Sequence, residues 1–191
     1  TDVAHPPPKH GIVFVGSSSI RLWDLPRWFP DLPVINRGFG GSQIADSIHF
    51  VEPLVLKHRP RTVVLYAGDN DVNAGKSAEV VHRDFQRFVR AIHDELPEAR
   101  IVFIAIKPSI ARWRLAQTMH AANRLILAEC EDDERLVFVD IWEPMLAGND
   151  GPPPEKWFVD DGLHLSDPGY ELWTGRVMPH MDHQEVKVGS N

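Results

Sequence analysis

Short apolar runs alternate along the chain with stretches whose apolar positions recur every three or four residues. Five runs, at residues 12–15, 34–35, 62–66, 101–106 and 136–141, are rich in β-branched and aromatic side chains. They are too continuous for strands exposed on one face, and so predict buried parallel strands. Between the third and fourth runs, Val81, Phe85, Phe88, Val89, Ile92 and Leu96 fall on one helical face while Arg83, Asp84, Arg87 and Arg90 fall on the other. This spacing predicts an amphipathic helix over residues 77–96, stopped by Pro97. Leu115, Met119, Ala122 and Ile126 predict a second helix, and Ile44, Ile48 and Val51 a shorter one ending near Pro53. Asp167 followed by Pro168 reads as an N-cap and first turn for a last helix carrying Leu172, Trp173 and Val177. Regular alternation of strand and helix, with right-handed crossovers, predicts an α/β fold: a flavodoxin-like three-layer α/β/α sandwich with a five-stranded parallel sheet.

Length and composition narrow the picture further. At 191 residues, with 43% hydrophobic and 25% charged positions, the chain suits one soluble domain with its own core. We expect a Pro-rich lead-in at residues 1–10, the domain at 11–183 and a short tail at 184–191, with residues 148–154 as a stiff surface loop. The longest apolar run, residues 101–106, is far short of the ~20 residues a membrane span needs. Integral membrane association is therefore not expected. Acidic residues outnumber basic ones 27 to 20, for a net charge of −7, which argues against nucleic acid as a partner. The lone Cys130 excludes an internal disulfide and reads as a packed thiol. A chain opening on Thr1 fits either a removed signal peptide or a trimmed start, so cytoplasmic and secreted or periplasmic addresses both stay open.

In an open parallel sheet, ligands bind beyond the carboxyl ends of the strands, so the segments that follow the strands carry the chemistry. Four stand out: Gly16-Ser17-Ser18-Ser19, then Asn36-Arg37-Gly38-Phe39-Gly40-Gly41, then Gly68-Asp69-Asn70-Asp71, and finally Asp161-Gly162-Leu163-His164. Together they hold a hydroxyl nucleophile, neutral N–H donors and a histidine with an acid three residues before it. Acyl transfer needs that set: a neutral imidazole to take the serine proton, a carboxylate to orient the ring, and neutral donors for the oxyanion. Each segment also has a plainer reading. The serines can cap a helix, the glycines can make a tight turn, and Asn70 between two acids can form an Asx turn or a cation site. His180 and His183 can share a metal but have no further ligand nearby, and Trp113, Trp142, Trp157 and Phe158 can line a cleft or simply pack. A rival class comes from the Asn70 to Ser77 segment, which ends Gly75-Lys76-Ser77 and falls one residue short of a phosphate-binding loop.

At these residues the chain resembles the SGNH, or GDSL-like, hydrolase/esterase family. Phe14-Val15-Gly16-Ser17-Ser18, with Trp23 five residues on, is similar to its first motif, Asn36 to Gly41 to its second, Gly68 to Asp71 to its third, and Asp161 with His164 to its last. The resemblance implies Ser18 as nucleophile, His164 as base, Asp161 as its partner, and Gly41, Asn70 and the Ser18 N–H as oxyanion hole. It implies a flavodoxin-like sandwich with a shallow site, no metal or cofactor, and an ester of a small molecule or glycan as substrate. The family's Asp before the serine is Ser17 here, leaving three serines in a row, of which Trp23 favours Ser18. That departure keeps a binding-only relative as the alternative. Arg37, Lys107, Arg112 and Trp113 are expected candidates for leaving-group preference.

Overall fold

The computed structural model describes residues 10–181. The expected lead-in over residues 1–9, the C-terminal tail and His183 lie outside them. The elements run β1 (Ile12–Gly16), α1 (Ser18–Arg21), α2 (Leu25–Trp28), β2 (Val34–Gly38), α3 (Ile44–His49), α4 (Val51–Leu54), β3 (Thr62–Tyr66), α5 (Asp69–Asn73), α6 (Ala78–His93), β4 (Arg100–Ile104), α7 (Ala116–Glu131), β5 (Leu136–Val139), α8 (Trp142–Leu146) and α9 (Asp167–Val177). All five strands pair in parallel, in the order β2-β1-β3-β4-β5.

Alternation along each strand sorts side chains onto two faces. Val13, Val15, Val63, Leu65, Ile101 and Phe103 pack with Ile44 of α3, Val81, Phe85, Phe88 and Ile92 of α6, and Met119, Ala122 and Ile126 of α7. Ile12, Phe14, Val64, Tyr66, Val102 and Ile104 face the other way, against Ile20 of α1, Leu25 of α2, Met145 of α8 and Trp173 and Val177 of α9. The stripe read in α6 is the stripe that is buried. The central strands β1 and β3 are buried throughout, whereas β2, at the sheet edge, is only half-buried.

Several expected boundaries shift for local reasons. The predicted helix from Ile44 to Pro53 is broken at Phe50 into α3 and α4. The long helix ends at His93, with Ser77 as its N-cap, its hydroxyl accepting from Val80 N–H. The last helix is capped by Ser166 rather than Asp167: the Ser166 hydroxyl accepts from Gly169 N–H, and Asp167 is already helical. Helices α2 and α8 are too short to leave a periodic signal. Among the described residues, no helix is long and apolar enough to cross a membrane.

Candidate active site

The chain leaves β1 for its neighbour β2 and then returns to the other side of β1 as β3, so the order reverses between β1 and β3. Such a reversal opens a crevice at the strand ends. The turn after β1 enters it at Gly16, whose φ of 133° and tight approach to the Tyr66 carbonyl leave no room for a side chain. Ser17 follows as N-cap of α1, with its N–H donated to the same carbonyl at 2.9 Å. Ser18 is then the first residue of α1, a position whose N–H has no intrahelical acceptor.

The three serines have different surroundings. Ser17 is buried with no partner for its hydroxyl, and Ser19 is buried with its hydroxyl accepting from Lys107. Ser18 Oγ lies 3.1 Å from His164 Nε2, across 146 positions of sequence. His164 sits on a short hairpin closed by pairing of Phe158 with Leu165 and by the Val159 N–H on the His164 carbonyl. At its tip, Asp161 Oδ2 is 2.5 Å from His164 Nδ1, while Asp161 Oδ1 accepts the N–H groups of Leu163 and His164, both at 2.8 Å. Burial opposes the Asp161 charge, but these hydrogen bonds outweigh it and hold the carboxyl down at about 2. An ionised carboxylate can only accept, so in the neutral ring Nδ1 carries the proton and the Nε2 lone pair faces Ser18.

The segments after β2 and β3 come together next to this turn. Phe39 N–H donates to the Gly16 carbonyl, and Asn70 Nδ2 donates one hydrogen to the Ser42 carbonyl at 3.0 Å, leaving its second hydrogen uncommitted by that bond. Gly41, at φ 74°, has open space where a side chain would stand. The two acids flanking Asn70 are internal anchors. Asp71 is fully buried and accepts from Ile44 N–H and the Lys76 ammonium; its carboxyl is raised by burial, against the pull of Lys76. Asp69 pairs with Lys107 and Arg112.

Other expectations resolve differently. Lys76 bridges Asp71 and Asp84, which takes away the lysine a phosphate loop would need. Lys107 is buried and Arg112 is turned onto Asp69, so neither is placed to choose a leaving group; Trp113 packs on the α6–α7 core, and Arg37 Nε bonds His58. Trp142 stacks on His120 and Trp157 donates to the Met145 carbonyl, so these two serve packing, while Phe158 is buried and also lines a hollow beside Asp161. Trp28 instead joins Tyr170 as an aromatic residue beside His164. It lines, with Leu22, Asp24, Arg27, Val159, His164 and Asp167, a cleft of about 400 Å³. Nothing in the sequence marked Trp28, because α2 reaches the cleft through a tertiary tie, Arg27 to Asp167 of α9 at 2.9 Å. Among the described residues, no group of three or more His, Cys, Asp or Glu side chains is arranged to hold a metal ion.

A family profile described as GDSL-like lipase/acylhydrolase matches residues 21–172. The chain belongs to that family. The matched span begins just after the serine turn, so the geometry of Ser18 is an observation separate from the match. Among solved structures, a GDSL-like lipase from Bacteroides thetaiotaomicron shares 20% identity over 94% of this chain and 93% of its own, with a TM-score of 0.82. A lipase/acylhydrolase from Enterococcus faecalis shares 20% over 88% and 93%, with a TM-score of 0.68. A carbohydrate esterase family 3 protein from Talaromyces cellulolyticus shares 18% over 88% and 94%, with a TM-score of 0.69. At these identities the likeness is one of fold, and it extends the GDSL-like architecture over nearly the whole chain. No curated protein matches the sequence.

Proposed function

We propose that this GDSL-like protein is a serine esterase that works through an acyl-enzyme. The observation that carries the reading is the unbroken relay from Ser18 Oγ to His164 Nε2 at 3.1 Å and from His164 Nδ1 to Asp161 at 2.5 Å. Ser18 Oγ attacks the ester carbonyl carbon as Nε2 takes its proton, and Asp161 stabilises the resulting imidazolium. The carbonyl oxygen gathers charge and is met by the N–H groups of Ser18 and Gly41 and the Asn70 amide. Collapse breaks the bond to the alcohol oxygen, which receives the proton from Nε2. Water then repeats the sequence on the acyl-enzyme and frees the acid and Ser18.

Because Nε2 must protonate the departing alcohol, the alcohol lies on the His164 side of the reacting carbon. The cleft that His164 lines offers Asp24, Arg27 and Asp167 as polar groups beside Trp28, which suits a polar or sugar alcohol carrying a small acyl group. The carbohydrate esterase among the similar structures supports the same choice.

Fluorophosphonate labelling with peptide mapping tests the reading. We expect a single adduct on Ser18, absent in Ser18→Ala with the circular dichroism unchanged. An adduct on Ser17 or Ser19 would overturn the assignment, and a folded wild type that takes no label would favour a protein that binds esters without cleaving them.

A further inference from the structure

One buried side chain outside the relay touches both halves of the site. Lys107, three residues beyond the end of β4, is 1% exposed and is the only buried lysine among the described residues. Its ammonium donates to Tyr66 Oη at 3.0 Å, to Asp69 Oδ2 at 3.2 Å and to Ser19 Oγ at 3.4 Å. Ser19 follows Ser18 in α1. Asp69 precedes Asn70 in α5, and its other oxygen accepts the Asn70 N–H at 3.0 Å. Arg112 Nη1 lies 3.0 Å from Asp69 Oδ2 without hydrogen-bond alignment, adding charge rather than direction.

Burying an ammonium is costly, and an apolar residue of similar size packs at least as well in most interiors. A charge retained there points to something that it positions. We propose that Lys107 is a positioning residue that fixes the nucleophile turn against the side-chain oxyanion donor, holding α1 through Ser19 and Asn70 through Asp69. The proposal rests on the reading of Ser18 and Asn70 given above. Burial lowers the Lys107 ammonium from its ordinary range, and the paired Asp69 carboxylate opposes that shift. Burial opposes the Asp69 charge, but Lys107 and Arg112 pull its carboxyl below the ordinary range, while burial first and Asp69 second hold the Tyr66 phenol neutral.

A double-mutant cycle on the full chain tests it, with Lys107→Met, Asn70→Ala and the pair compared for kcat, KM and thermal midpoint. In the wild-type background we expect Asn70→Ala to lower kcat by about 10²–10³-fold, the usual loss for one oxyanion donor. Lys107→Met should lower kcat by at least ~10-fold with KM little changed, and adding Asn70→Ala should then cost less than ~10-fold more, because the donor is already displaced. A merely structural role would leave the two losses multiplicative, and that result overturns the proposal. If Asn70→Ala alone leaves kcat unchanged, the oxyanion reading of Asn70 fails and the proposal with it, whereas Ser18 labelling would still stand. Should Lys107→Met fail to fold, Asp69→Ala removes the carboxylate through which Lys107 reaches Asn70 and runs the same cycle.

Discussion

Asp161 accepts three hydrogens, two from the backbone of its own hairpin and one from the His164 ring, and this fixes how the site responds to pH. Its folded carboxyl is held at about 2, below the unfolded value, so the stability it contributes is complete above pH 4 and is lost as pH falls toward 2. Above pH 4 Asp161 is therefore ionised throughout and adds no second ionisation of its own. We therefore predict that log kcat/KM falls on the acid side with a slope of one; a slope of two between pH 4 and 7 would mean that a second group must be ionised. Asp161→Asn should lower kcat by about 10⁴-fold, because an amide no longer enforces the productive tautomer. Cys130 shows the opposite case. Burial first, and the neighbouring Glu129, Asp133 and Glu131 after it, push its thiol up to about 12. Native protein should resist iodoacetamide at pH 8 and react once unfolded in guanidinium, as mass spectrometry would read directly.

Helices and strands with long periodic stripes were legible in the sequence because periodicity records burial. Phe85, Phe88 and Ile92 stand on the apolar face of α6 and meet the sheet, so Phe88→Ala should cost about 3–5 kcal/mol in urea denaturation. The elements that escaped notice are those whose reason for existing is tertiary. Helix α2 spans only Leu25–Trp28, starts under an Asp24 cap, and places Trp28 in the cleft by virtue of a neighbour far along the chain. The site residues were legible as types in order, but the choice among Ser17, Ser18 and Ser19 needed the turn itself: one sits at the N-cap position with its hydroxyl unpartnered, one is held by Lys107, and one faces the imidazole. Ser166 caps α9 where the sequence also offers Asp167; both residue types cap well and only geometry separates them. Its hydroxyl also donates to the Lys156 carbonyl at 2.6 Å, tying α9 to the segment before the hairpin. Ser166→Ala should cost about 1 kcal/mol in chemical denaturation.

Taken together, the site belongs to no single part of the chain. The serine comes from the turn after β1, the amide from the segment after β3 and the imidazole from a hairpin beyond β5, and each rests on a sheet whose two faces are separately packed. On one face Phe14, Trp23, Phe29, Tyr66, Tyr170 and Trp173 form a chain of ring contacts that joins β1, β3 and α9. Tryptophan fluorescence and Ser18 labelling should therefore be lost together on heating, and labelling that disappears well before the fluorescence shift would reveal a site that melts on its own.

The exposed stretch at residues 147–150 has a practical consequence of this layout. All five strands and the serine lie before it, while the base and its acid come after it, on a segment whose α9 packs Trp173 and Val177 into the core. Opening the backbone there would yield two pieces, neither able to turn over an ester alone, with a ready-made socket between them. Recovered hydrolysis on mixing would report their reunion, which makes the protein a natural starting point for a split reporter.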